Sequence, residues 1–168
     1  MKKFLLLLLV APFFFVGCAT ENKRVSHAPG ATMHVRTTAY TQTEPGGRHS
    51  ACGTILSYGK VHSAASDWSW IPVGTRFKIE QTGEICLVED YGSALVGRQT
   101  IDLFKPSRKL MRTWGMRYVD IKIIEWGSPR RSLEILTPRC RNAHVQKMVT
   151  ALQKQSEGMP HRFHKIDS

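Results

Sequence analysis

From Tyr118 to Trp126 the chain reads Tyr-Val-Asp-Ile-Lys-Ile-Ile-Glu-Trp. Val119, Ile121 and Ile123 fall on one side, and Asp120 and Lys122 on the other. A period of two with β-branched residues on one face predicts a half-buried strand. The same grammar recurs upstream. Met33 to Tyr40 is rich in strand formers, and Arg76 to Glu80 alternates. Thr82-Gly83 then makes a tight turn into Ile85 to Val88, which predicts a hairpin. Helical patterning is sparse here. Pro106-Ser107 opens one short helix with Leu110, Met111 and Trp114 on one face, and Gly115 closes it. Short strands with little helix over residues 33–127 predict an all-β domain, a small closed barrel. Beyond Gly127 the character changes. Residues 128–168 hold eight Lys+Arg against three acids. They read as a basic tail with one amphipathic helix, because Val145, Met148, Val149 and Leu152 recur at helical spacing. The last residues, 158–168, read as disordered.

The amino terminus reads as an export leader. Lys2 and Lys3 precede an apolar run from Phe4 to Val16, followed by Gly17 and Cys18. Phe15-Val16-Gly17-Cys18 resembles the bacterial lipobox, with Phe where Leu is usual. That resemblance implies a signal peptide over 1–17 and lipidation of Cys18, and the short polar stretch that follows, over 18–32, reads as a tether. An ordinary signal peptide, with Cys18 incidental, is the alternative. Ala19 lacks the retention signal of an Asp, which favours the periplasmic face of an outer membrane. The chain carries 24 Lys+Arg and 13 Asp+Glu, a formal charge of +11. An exported chain with no nucleic-acid motif is not expected to bind nucleic acid, so these bases point to an anionic wall or lipid surface. After Cys18 three cysteines remain, and a Cys52–Cys86 bridge is one of several possible pairings. No metal-ligand spacing occurs, and neither a metal nor another cofactor is expected.

Acids are scarce, and three aspartates keep unusual company. Asp67 precedes Ile71-Pro-Val-Gly-Thr75, Asp90 stands in Asp90-Tyr-Gly-Ser-Ala94, and Asp102 in Ile101-Asp102-Leu103. Together with Thr38-Ala39-Tyr40 upstream and Trp114-Gly115 before the last strand, the ordered set resembles the three-aspartate (3D) domain of bacterial cell-wall proteins. That domain is related to the catalytic part of membrane-bound lytic murein transglycosylase A. Val96 stands before Gly97 where relatives often carry Lys, with Arg98 beside it.

The resemblance implies a six-stranded double-psi β-barrel. It also implies a peptidoglycan lytic transglycosylase, acting as a monomer on the bond between N-acetylmuramic acid and N-acetylglucosamine. Asp102 would be the single acid and base. Asp90 would tune it, and Asp67 would complete the cluster. Tyr40 and Thr38 would line a groove, and the Gly92-Ser93 turn would let the glycan approach closely. A muramidase using two carboxylates and a water is one alternative. A non-catalytic, expansin-like wall-binding barrel is another, and Trp68 and Trp70 would suit its platform. The seven histidines lack ligand spacing, and His62 is expected to border the groove.

Overall fold

A computed structural model describes residues 30–44 and 47–157. The expected leader, the Cys18 lipidation site, most of the tether and the 158–168 segment lie outside the described residues. Six strands close a barrel: β1 (Thr32–Tyr40), β2 (His62–Ala65), β3 (Arg76–Ile79), β4 (Ile85–Asp90), β5 (Thr100–Phe104) and β6 (Arg117–Glu125). Their order around the barrel is β1-β5-β2-β4-β3-β6. The β1–β5 and β2–β4 pairs are parallel, and the other four contacts are antiparallel. Closure leaves no strand edge exposed.

Alternation sorts the side chains as the sequence predicts. Val35, Phe77, Ile79, Val88, Ile101, Leu103, Val119, Ile121 and Ile123 are buried in the apolar core. The expected hairpin is β3–β4, with Gly83 at φ +74° in its turn. The expected helix is α1 (Arg108–Trp114). The Ser107 hydroxyl accepts from the Leu110 amide at its start, and Gly115 ends it. Lys105, between β5 and α1, is buried. It is balanced by Glu84 at 3.1 Å and flanked by the rings of Tyr58 and Trp114.

The carboxyl-terminal segment differs from the expected tail. It forms α2 (Pro129–Leu136), a 3-10 turn (Thr137–Arg139) and α3 (Ala143–Glu157). Leu136, Val145, Met148, Val149 and Leu152 join the same buried cluster as Trp68, Ile71 and Val73. The basic residues misled the sequence argument because they occupy the outer faces of helices whose inner faces belong to the core.

Gly127 is where the chain turns from barrel to helices. A Cβ there would lie 2.2 Å from the Val73 carbonyl and 2.5 Å from the Thr75 amide. Both are backbone atoms, so neither can swing aside. Gly127→Ala should therefore cost about 3 kcal/mol, lowering the melting temperature by roughly 10 °C. An unchanged thermal transition would show that the close approach is not needed.

Cys52, Cys86 and Cys140 are free thiols. The Cys52–Cys86 bridge is not formed, because Cys86 lies within the barrel core while Cys52 sits on an exposed loop.

Candidate active site

The barrel register brings two of the three aspartates together. Ala65, at the end of β2, pairs with Asp102 on β5 and with Asp90 on β4. The two acids therefore flank one small residue on neighbouring strands, with backbones roughly 10 Å apart. On the far side of β5, Thr38 of β1 is the register partner of Asp102. Its hydroxyl donates to Asp102 Oδ1 at 2.7 Å. Asp102 Oδ2 has no hydrogen bond among the described residues. Tyr40, one strand step of two residues further along β1, directs its hydroxyl to Asp90 Oδ2 at 3.4 Å.

The two carboxylates are held very differently. Asp90 Oδ1 accepts from the amides of Ala51 at 3.0 Å and Tyr91 at 2.9 Å. Burial raises its pKa, while these amides and the Tyr40 hydroxyl oppose that shift. Asp102 has fewer donors. Burial pushes its pKa up to about 6, the Thr38 hydrogen bond pulls against it, and Glu44 and Asp90 add like-charge repulsion. Tyr40 is pushed upward too, by burial first and then by Asp90, Asp102 and Glu89, so its hydroxyl keeps its proton. The result is an anchored carboxylate beside one poised to exchange a proton near neutral pH.

That difference has a stability signature. The folded state holds the Asp102 proton to about pH 6, whereas the ordinary value is 3.8. Between those values the native state binds more protons than the unfolded chain, so this group's contribution falls as pH rises through the window. Asp102→Asn should remove that slope. It should also stabilise the protein at pH 7, by at most about 3 kcal/mol and by less where solvent screens the charge. Thermal midpoints from pH 4 to 7 check this. Parallel curves for the two proteins would contradict it.

Asp67 is placed elsewhere in the bonding scheme. Its Oδ1 accepts from the Ser69 amide at 2.9 Å and the Ser69 hydroxyl at 2.6 Å. Its Oδ2 accepts from the Gly97 amide at 2.7 Å. Only 3% of the residue is exposed. Its carboxylate thus pins the turn after β2 to the loop between β4 and β5, and bonds to neither Asp90 nor Asp102. Gly92 and Ser93 lie in that same loop, where the Gly92 carbonyl accepts from the Leu95 amide. A Cβ on Gly92 would make ordinary contact with Leu95 at 3.6 Å.

The tryptophans are not a surface platform. Trp68 is fully buried, donates its indole N–H to the Asp90 carbonyl at 2.8 Å and meets Tyr91 edge-on. Trp70 packs half-buried against the core. His62 sits at the opposite end of β2 from Ala65, about 10 Å along the strand. Its ring packs at a tilt against Tyr58, with centroids 4.2 Å apart, and faces Glu84 at 3.5 Å, so it belongs with Lys105 rather than with the aspartates.

Several supporting residues escaped the sequence argument. Glu89 accepts from the Thr54 hydroxyl at 2.7 Å and bonds the Ser63 hydroxyl, and its carbonyl accepts from the Cys52 amide. This ties the loop carrying Ala51 to the barrel. The carboxyl-terminal helices press on the same loops. Arg139 donates to the Ala51 carbonyl at 2.9 Å and Gln155 to the Ser69 carbonyl at 2.8 Å. Glu44 was visible only as a loop residue, because its influence on Asp102 depends on how that loop folds back.

Residues 62–125 match the 3D domain family model, a span that takes in all three aspartates and leaves β1 outside. Over 107 residues the chain is 34% identical to the candidate cell wall shaping protein YabE of Bacillus subtilis (strain 168), covering 62% of this chain and 26% of that protein. Over 109 residues it is 33% identical to the cell wall-binding protein YocH of the same organism, covering 63% and 37%. Well under half the length of either relative is matched.

Proposed function

We propose that this barrel cleaves the glycan of peptidoglycan between N-acetylmuramic acid and N-acetylglucosamine, as a lytic transglycosylase. The observation that carries the proposal is Asp102, whose pKa of about 6 and whose Oδ2, without a hydrogen bond among the described residues, suit a general acid. The Asp102 carboxylic acid protonates the glycosidic oxygen as the bond to muramyl C1 breaks. The resulting carboxylate then takes the proton of the muramyl C6 hydroxyl as that oxygen bonds to C1. A 1,6-anhydro ring forms and Asp102 regains its proton. No water enters the bond, so a single acid/base is enough.

Asp90 lies beside this exchange, its carboxyl held by the Ala51 and Tyr91 amides and by Tyr40, and in its charged form it favours the developing positive charge at C1. Thr38 orients Asp102. Asp67 acts as a positioning residue through the Gly97 loop, and the Gly92-Ser93 turn forms one rim of the groove. The two parallel strand pairs favour the double-psi form of the barrel. The chain works outside the cytoplasm as a monomer anchored by lipid on Cys18, at the periplasmic face of an outer membrane.

One observation favours a second reading. A relative is named as a cell wall-binding protein, and a barrel of this shape that only holds glycan would be consistent with that name. Adding purified protein to isolated sacculi separates the two. Cleavage clears the suspension and releases soluble fragments, whereas binding alone leaves turbidity unchanged and the protein in the pellet.

A further inference from the structure

β1 alternates strictly along its length. Val35 and Thr37 face the interior, while His34, Arg36, Thr38 and Tyr40 face outward. Thr38 and Tyr40 hold Asp102 and Asp90. The other two outward residues continue the same row away from the aspartates. Arg36 lies between Thr100 of β5 and Tyr118 of β6 in the register. It donates to the Thr100 hydroxyl at 3.3 Å and has no acidic partner among the described residues. Most of its guanidinium donors are therefore available to a ligand.

Next in the row is an open aromatic pair. The rings of His34 and Tyr118 stack with centroids 5.6 Å apart and planes 11° from parallel. Tyr118 is 61% exposed, yet the pair is held in place. His34 Nδ1 bonds Asp120 at 2.8 Å. The other Asp120 oxygen accepts from the Gln81 side chain at 3.0 Å, and the Gln81 carbonyl oxygen accepts from the Asp120 amide. This clamp fixes the His34 ring on which Tyr118 stacks, neither of which the core needs, and that lowers the ordering cost of binding to them. Four residues of strand separate Thr38 from His34, about 13 Å, or a short run of sugar rings laid end to end.

We propose that the outer face of β1 and β6 is a distal glycan subsite of the Asp102 groove, with a pyranose ring stacked on the His34–Tyr118 pair and a stem-peptide carboxylate on Arg36. This rests on the peptidoglycan reading above and adds which part of the polymer is recognised beyond the cleaved bond. Aromatic faces take the apolar face of a sugar, and an unpaired guanidinium takes a carboxylate in two-pronged fashion. β1 carries His34 and Arg36 in one row with Thr38 and Tyr40, the residues that hold the acids. An extended glycan bearing carboxylates would span them.

The test measures binding without turnover, using the full chain with Asp102→Asn as the common background. The probes are a peptide-bearing disaccharide, long glycan strands with stem peptides, and the same strands stripped by an amidase. Tyr118→Ala should weaken binding of long strands about tenfold and leave the disaccharide unchanged, and Tyr118→Phe should match the parent. Arg36→Gln should abolish the preference for peptide-bearing over stripped strands and flatten the salt dependence. Thermal midpoints confirm that each variant is folded. Equal affinity of Tyr118→Ala for long strands, or an equal loss on long strands and disaccharide, overturns the subsite. So does a concentration-dependent dimer that Tyr118→Ala dissolves, because the face would then belong to a second copy. A parent that binds no glycan at all overturns the peptidoglycan reading and the subsite together.

Discussion

Asp102→Asn should lower the rate of glycan cleavage by at least about 10³-fold, because in the proposed mechanism one carboxyl serves as both acid and base and an amide does neither. The side chain keeps its shape, and its Oδ1 still accepts from the Thr38 hydroxyl, which is 2.7 Å away in the parent. Glycan affinity should therefore persist while turnover stops. Stability should move the other way. The carboxyl is buried against its preference, with Glu44 and Asp90 adding to the cost of its charge. Removing that charge relieves a strain kept for function. Loss of activity together with a higher midpoint at pH 7 is the expected pair. A variant that loses activity because it unfolds would show the reverse shift. For the wild type, cleavage should decline as pH rises through about 6, as the acid form of Asp102 disappears.

Ending the chain at Gly127 should abolish cooperative folding of the barrel. Leu136, Val145, Met148, Val149 and Leu152 would be lost from a cluster that also contains Trp68, Ile71 and Val73. Burial of five such side chains contributes on the order of 10 kcal/mol, comparable to the whole net stability of a domain this size. Polar ties would go as well: the Ser132 hydroxyl that accepts from the Val73 amide, and the Arg139 and Gln155 bonds to the site loops. The truncated chain should be poorly soluble or melt without a sharp transition. A fragment that melts cooperatively near the full-length midpoint would show that the helices are accessory to the barrel.

How much of this was legible in the sequence varies by element. β6, β3 and β4 announced themselves through alternation, and α1 through Ser107 and Gly115. β2 did not. His62-Ser-Ala-Ala65 has four residues and no β-branched one, and it is a strand because β4 and β5 pair with it on both sides. β5 was visible only as a motif around Asp102. The placing of Asp90 and Asp102 on either side of Ala65 follows from one parallel pair, β2–β4, and one antiparallel pair, β2–β5, which no local pattern encodes. Asp67 shows the limit of a motif: it marks three acids, but hydrogen bonding gives one of them to a loop anchor. Tyr118 was readable in principle. Once Val119, Ile121 and Ile123 face inward, Tyr118 must face out, and only its stacking on His34 required the register between β1 and β6.

The central claim is that Asp102 drives a cut in which the substrate supplies its own nucleophile. Mass spectrometry of the soluble products from sacculi, digested in parallel by wild type and Asp102→Asn, tests it most directly. Wild type should release muropeptides ending in 1,6-anhydro-muramic acid, each lighter by one water than its hydrolytic counterpart, and Asp102→Asn should release none. Reducing ends from wild type, or anhydro ends from Asp102→Asn at a comparable rate, would contradict the assignment.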